Sequence, residues 1–168
     1  ARASVFMGAV VAAASAVALA LFSAAAQAAA TGPAPAGLVK ATLAGGCFWC
    51  VEADFDKVPG VVSTTSGYIG GKVANPSYEQ VSAKTSGHAV AVEIVFDAKR
   101  VSYEQLLEYF CRTIDPTTKD RQFCDAGSPY RTAIFVHDAQ QLAAANASRD
   151  QLAKSKPFKV PIVTEIAM

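Results

Sequence analysis

Leu38-Val39-Lys40-Ala41-Thr42-Leu43-Ala44-Gly45-Gly46-Cys47-Phe48-Trp49-Cys50 sets an apolar run, two glycines and a cysteine in immediate succession. The apolar run predicts a buried strand over Leu38–Ala44. From Phe48 the apolar positions Phe48, Val51 and Phe55 recur at helical spacing, which predicts a helix over Phe48–Lys57, stopped by Pro59-Gly60. The two glycines let the backbone turn tightly between strand and helix, so Cys47 opens the helix. A helix N-terminus presents unpaired N–H groups and the positive end of the dipole. Both stabilise a thiolate, and Cys47 is the expected nucleophile. Phe48 and Trp49 place an aromatic wall beside the sulfur, suited to a methyl or thioether group. The competing reading is a structural cysteine in a tight strand–helix corner. Cys50 follows at C-x-x-C spacing, so the two thiols share one helix face.

Working outward, Val61–Tyr68 has the β-branched content of a strand. Gly70-Gly71 and Asn75-Pro76 mark a loop, followed by a short helix over Ser77–Lys84. His88–Asp97 is the clearest strand, with Val90, Val92, Ile94 and Phe96 on one face. Ser102 and Gln105 form a capping box for a helix over Tyr103–Ile114, whose stripe Leu106, Leu107, Phe110, Cys111 and Ile114 reads as core. Asp115–Arg131 reads as a long loop and Thr132–His137 as a strand. Asp138 and Gln141 cap a helix over Ala139–Ser155, and Val160–Ile166 reads as a final strand. This alternation predicts helices packed on a sheet. No strand is followed by G-x-G-x-x-G, which argues against a dinucleotide site.

The chain has 168 residues, 52% hydrophobic and 17% charged, with a net charge of +1. That balance offers no basic surface for nucleic acid. Residues 1–39 hold one charge, Arg2. The apolar run centred on Val10–Phe22, followed by Ala26-Gln27-Ala28, predicts a signal peptide over 1–28 and export to the periplasm. A retained N-terminal anchor in the inner membrane is the alternative. Residues 29–37 read as a linker. Export would put the four cysteines, Cys47, Cys50, Cys111 and Cys124, where a disulfide persists. Cys111 and Cys124 lack close pairing and the chain has two histidines, His88 and His137, so no metal site is expected.

The sequence resembles the peptide methionine sulfoxide reductase A family. The likeness rests on Gly46-Cys47-Phe48-Trp49 with Glu52, Val58-Pro59-Gly60-Val61, Ser66-Gly67-Tyr68, Gly70-Gly71 and Asn75-Pro76-Ser77-Tyr78. It continues through Thr85-Ser86-Gly87-His88-Ala89, the stretch Val101–Leu107, Asp115-Pro116, Arg121-Gln122, Asp125-Ala126-Gly127, Tyr130-Arg131 and Thr164-Glu165-Ile166, spanning about 41–166. The resemblance implies an α+β fold, a mixed sheet with helices packed on it in a ferredoxin-like two-layer core. It implies thiol-dependent reduction of methionine S-sulfoxide, free or in proteins, with no cofactor and no metal. Cys47 would become a sulfenic acid and then a disulfide, recycled by thioredoxin or a similar reductant. Tyr78 and Tyr130 map onto the family's oxygen-side donors, Asp125 onto the family's aspartate, Phe48 and Trp49 onto its methyl pocket, and a monomer is expected.

Three departures accompany the likeness. The family reads Gly-His-Ala-Glu-Ala, and Val90 stands at its acid; Glu93 would face the other way unless a bulge intervenes. The chain stops at Met168, so the domain over 38–168 is expected to be C-terminally truncated. The resolving role then falls to Cys124, favoured, or Cys50, which is expected to turn toward the core. Ser128-Pro129 precedes Tyr130 where the family carries glutamine, and the proline is expected to fix the loop and displace the tyrosine. Two further functional readings stand beside the reductase: a thiol–disulfide exchange protein using Cys47 and Cys50, and an inactive truncated copy.

Overall fold

The computed structural model describes residues 37–155 and 158–168. The expected signal peptide, and the linker apart from Gly37, lie outside the described residues. The elements run β1 (Val39–Gly45), α1 (Phe48–Phe55), β2 (Val61–Ile69), α2 (Tyr78–Ser82), β3 (Ala89–Phe96) and α3 (Tyr103–Thr113). A two-stranded hairpin follows, β4 (Arg121–Gln122) and β5 (Asp125–Ala126), then a 3-10 turn over Ser128–Tyr130. β6 (Thr132–Phe135), α4 (Ala139–Ser155) and β7 (Glu165–Ala167) complete the described chain.

The main sheet has the order β2-β3-β1-β6-β7. β3 pairs antiparallel with β1 and β2, β6 antiparallel with β1, and β7 parallel with β6. Four of these strands with α1 and α3 make the β-α-β-β-α-β arrangement of ferredoxin-like folds, extended by β7. Period two decides the faces. Val90, Val92, Ile94 and Phe96 join Leu43, Phe55, Leu106, Leu107 and Phe110 in the main core. Ala89 and Ala91 pack with Phe135 in a smaller cluster on the opposite face. The Ser102–Gln105 capping box is formed in both directions. So is a second box, Ser77–Gln80, which starts α2.

Two expectations are corrected. Asp115–Arg131 is not irregular throughout, because it contains β4, β5 and the 3-10 turn. The final strand spans only Glu165–Ala167. Before it, Pro161 lacks the N–H a ladder needs, and the Val163 N–H donates to the Pro116 carbonyl at 2.8 Å instead of to a strand.

Phe110 is fully buried, and its ring lies 3.0 Å from where a Cβ on Gly45 would stand. Phe110→Ala is expected to lower unfolding free energy by about 3–5 kcal/mol, read from urea titration as a lower midpoint at unchanged slope.

Candidate active site

The strand-to-helix corner leaves no room for side chains at its glycines. Gly46 has φ +90°, and a Cβ there would lie 2.5 Å from the Gln122 Cβ. Gln122, 2% exposed, accepts from the Asp115 N–H at 2.8 Å and donates to the carbonyls of Asp115 and Arg121, both at 2.7 Å. The Asp115–Gln122 segment is thereby pressed against the turn that presents Cys47.

Cys47 is the N-cap residue of α1, half-buried, with its side chain making no capping bond. Its carbonyl accepts from the N–H groups of Cys50 and Val51. Cys50 is exposed, correcting the expectation that it faces the core: the buried face of α1 is taken by Phe48, Val51 and Phe55. The Cys50 thiol is hydrogen-bonded to Cys47, and this bond, ahead of desolvation and the charges of Cys47, Asp125 and Asp54, pushes it above the ordinary thiol value. Cys50 therefore stays a thiol at neutral pH.

The aromatic wall divides. Phe48 is buried and Trp49 is 64% exposed, with ring centroids 5.3 Å apart. On its other side Phe48 meets Tyr68 at 5.9 Å. Tyr68, on β2, is a site residue the sequence reading did not single out; the strand's period of two puts it on one face with Thr64 and Ser66. Burial pushes its hydroxyl up, and Tyr78 and Tyr130 add to the effect. Tyr130 is raised in the same way, by burial first and then by Tyr78 and Asp125, and its hydroxyl is hydrogen-bonded to Tyr78 and Ser82. Tyr68 and Tyr130 therefore remain protonated donors at neutral pH. The Asp125 charge bears on both Cys50 and Tyr130.

Tyr78 and Tyr130 are held by the loops around them. His88 accepts from the Gly71 N–H at 3.3 Å and its Nε2 meets the Val73 carbonyl at 2.8 Å, tying down the loop that leads into α2. Arg131 donates to the carbonyls of Ser128 and Gly87 and to Glu165. Pro129 is buried in the first turn of the 3-10 segment, where a missing N–H is harmless, and Tyr130 interacts with Tyr78. His137 meets the Thr42 hydroxyl at 2.8 Å and takes a structural role.

The other sequence candidates fall elsewhere. Cys124 is exposed in the turn between β4 and β5. Cys111, expected in the core, is half-buried and lines a cavity of about 550 Å³ between α3 and α4 with Glu108, Arg112 and Leu152. Val90 is 3% exposed and lies opposite Tyr68 in the β2–β3 register. The only register shift in that pairing is at Val61/Ser63, so Glu93 faces away from Val90 and pairs with Lys40 at 3.0 Å. Glu52 accepts from the Ser66 hydroxyl at 2.7 Å, while the Thr64 hydroxyl donates to Asp56 at 2.6 Å.

A ferredoxin-like sheet carrying a cysteine at a helix N-terminus, next to an aromatic pair that packs on Tyr68, defines a thiol-centred α+β domain. Residues 39–168 match the family model described as peptide methionine sulfoxide reductase. The chain belongs to that family. It is 54% identical over 130 residues to peptide methionine sulfoxide reductase MsrA of Methanosarcina acetivorans, covering 77% of this chain and 69% of the relative. To MsrA of Methanosarcina mazei it is 53% identical over 130 residues, covering 77% of this chain and 62% of the relative, so it spans about two thirds of the length of these relatives. The fold is similar to that of Mxr1 from Saccharomyces cerevisiae in reduced form, with TM-score 0.73 and 27% identity over 79% of this chain and 77% of that one. It is also similar to Mxr1 in complex with Trx2, with TM-score 0.58 and 22% identity over 80% and 79% of the two chains.

Because the folded state holds the Cys50 proton more tightly than the unfolded chain, this group's contribution to stability is complete below the ordinary thiol range. It is lost as pH rises toward the raised value. Iodoacetamide labelling of Cys50, read by peptide mass spectrometry against pH, is expected to have a midpoint above that of an ordinary thiol. Cys47→Ser is expected to bring the midpoint down; an unchanged midpoint would mean that Cys47 is not the cause.

Proposed function

We propose that this chain reduces methionine S-sulfoxide, free or in polypeptides, to methionine. The observation that carries the reading is Cys47 at the start of α1, with the Cys50 thiol beside it and Tyr68 packed on the adjoining Phe48 ring. In the first step the Cys47 sulfur attacks the sulfoxide sulfur. The S–O bond breaks, oxygen passes to Cys47 as a sulfenic acid, and the thioether leaves, so thiol plus sulfoxide balances sulfenic acid plus methionine. Tyr78 and Tyr130 donate to the oxygen while Phe48 and Trp49 hold the methyl end of the substrate.

The second thiol then attacks Cys47, forming a disulfide and releasing water. Of the candidates, Cys50 is favoured over Cys124, because its thiol already meets Cys47. A dithiol protein of the thioredoxin kind returns the disulfide to two thiols; the yeast relative Mxr1 has been solved with Trx2. The leader over 1–28 supports export, in which case the reductant is periplasmic, and N-terminal sequencing of periplasmic protein would begin near residue 29.

Val90 stands where the resemblance calls for the acid that protonates the leaving oxygen. General acids contribute about 10²–10⁴-fold, so the chemical step is slow. With dithiothreitol and the S epimer as substrate, Cys47→Ser is expected to abolish turnover and Val90→Glu to raise it at least several-fold. Mass spectrometry of substrate-oxidised protein is expected to show a Cys47–Cys50 disulfide. Insulin reduction without sulfoxide reduction would favour the thiol–disulfide exchange reading, and inertness of a folded wild-type chain in both assays would favour an inactive copy.

A further inference from the structure

The open edge of the main sheet runs into this site. β2 is the terminal strand, and among the described residues no strand pairs with its outer side. Edge strands are ordinarily protected from pairing by charges, proline or bulges. Val61–Ile69 reads VVSTTSGYI, with no charge and no proline, and its one irregularity lies at the far end, between Val61 and Ser63. From Thr64 onward the pairing with β3 is regular and every residue remains partly exposed.

The two faces of this edge differ. Thr64, Ser66 and Tyr68 face α1, where Thr64 donates to Asp56, Ser66 donates to Glu52 and Tyr68 packs on Phe48. Ile69 faces the opposite cluster, and a Cβ on Gly67 would meet open space within 4 Å. A strand laid along the outer side would sit about 4.8 Å from β2 and send alternate side chains toward α1. Opposite Tyr68, such a side chain would approach the Phe48–Trp49 pair at the mouth of Cys47. Two residues away, its neighbour would come alongside Ser66 and the Glu52 carboxylate.

We propose that the outer edge of β2 over Thr64–Ile69 is the docking rail for polypeptide substrate, which adds as an extended strand and delivers its methionine sulfoxide to Cys47. This rests on the reductase reading above. The main chain supplies affinity without sequence preference, as in other strand additions, and a lysine or arginine two residues from the sulfoxide is favoured by Glu52.

The test uses one extended peptide carrying a central methionine S-sulfoxide and a set of single backbone N-methyl variants. Free methionine S-sulfoxide is the control. Methylation at alternate positions is expected to lower kcat/KM by about 3–10-fold per blocked hydrogen bond, with intervening positions within about twofold. Backbone amides of β2 in Cys47→Ser are expected to exchange more slowly with the peptide bound than with the free amino acid. A kcat/KM indifferent to the methylation pattern, or protection of amides elsewhere while β2 stays unprotected, overturns the proposal. So does edge-to-edge self-association that the peptide fails to dissolve. Failure on free methionine S-sulfoxide counts against the reductase reading itself, whereas the amide-exchange arm decides the docking edge independently.

Discussion

Two absent Cβ atoms hold this site together. At Gly45 a methyl group would press on Ile114, Phe110 and Val51 at 3.0–3.1 Å, so the end of β1 can lie under α3 only as glycine. At Gly46 the left-handed backbone and the abutting Gln122 exclude any other residue. Three segments distant in sequence therefore meet at one corner: the β1–α1 turn, the end of α3 and the β4–β5 hairpin. Since Gln122 pairs with Asp125 across that hairpin, the contact that fixes the cysteine turn also fixes the carboxylate that bears on Cys50 and Tyr130. A shift at the corner would move both.

The parts legible in the sequence are those where a local rule and the tertiary fold agree. Ala139–Ser155 came out with its bounds intact because Asp138 and Gln141 close its start by side-chain bonds to the backbone. The β3 pattern was legible because Val90, Val92, Ile94 and Phe96 enter one core. The hairpin at 121–126 escaped because two-residue strands have no period to read, and its identity comes from Gln122 docking on Gly46. The exposure of Cys50 was missed because C-x-x-C spacing says that two thiols share a face without saying which face. That choice is made by Phe48, Val51 and Phe55 taking the core side of a two-turn helix. Tyr68 was missed as a site residue because its partners, Tyr78 and Tyr130, are brought to it by α2 and the 3-10 turn, at separations no local pattern reports.

The electrostatics of the centre separate two tasks that a sulfoxide imposes, binding its oxygen and protonating it. Tyr68 and Tyr130 have hydroxyls pushed up by burial first and then by Tyr78. Such groups donate hydrogen bonds well and surrender protons poorly, so they favour charge on the oxygen without completing its departure. The nearby carboxylates are differently engaged: Glu52 is held by Ser66, Glu93 is on the reverse face with Lys40, and the Asp125 charge bears on Cys50 and Tyr130. The Cys50 thiol is held protonated chiefly by its neighbour Cys47. The isopropyl group of Val90, sealed into the core opposite Tyr68, occupies the strand position from which the family pattern would bring an acid to the same oxygen. The centre is thus built more completely for holding the oxygen than for releasing it.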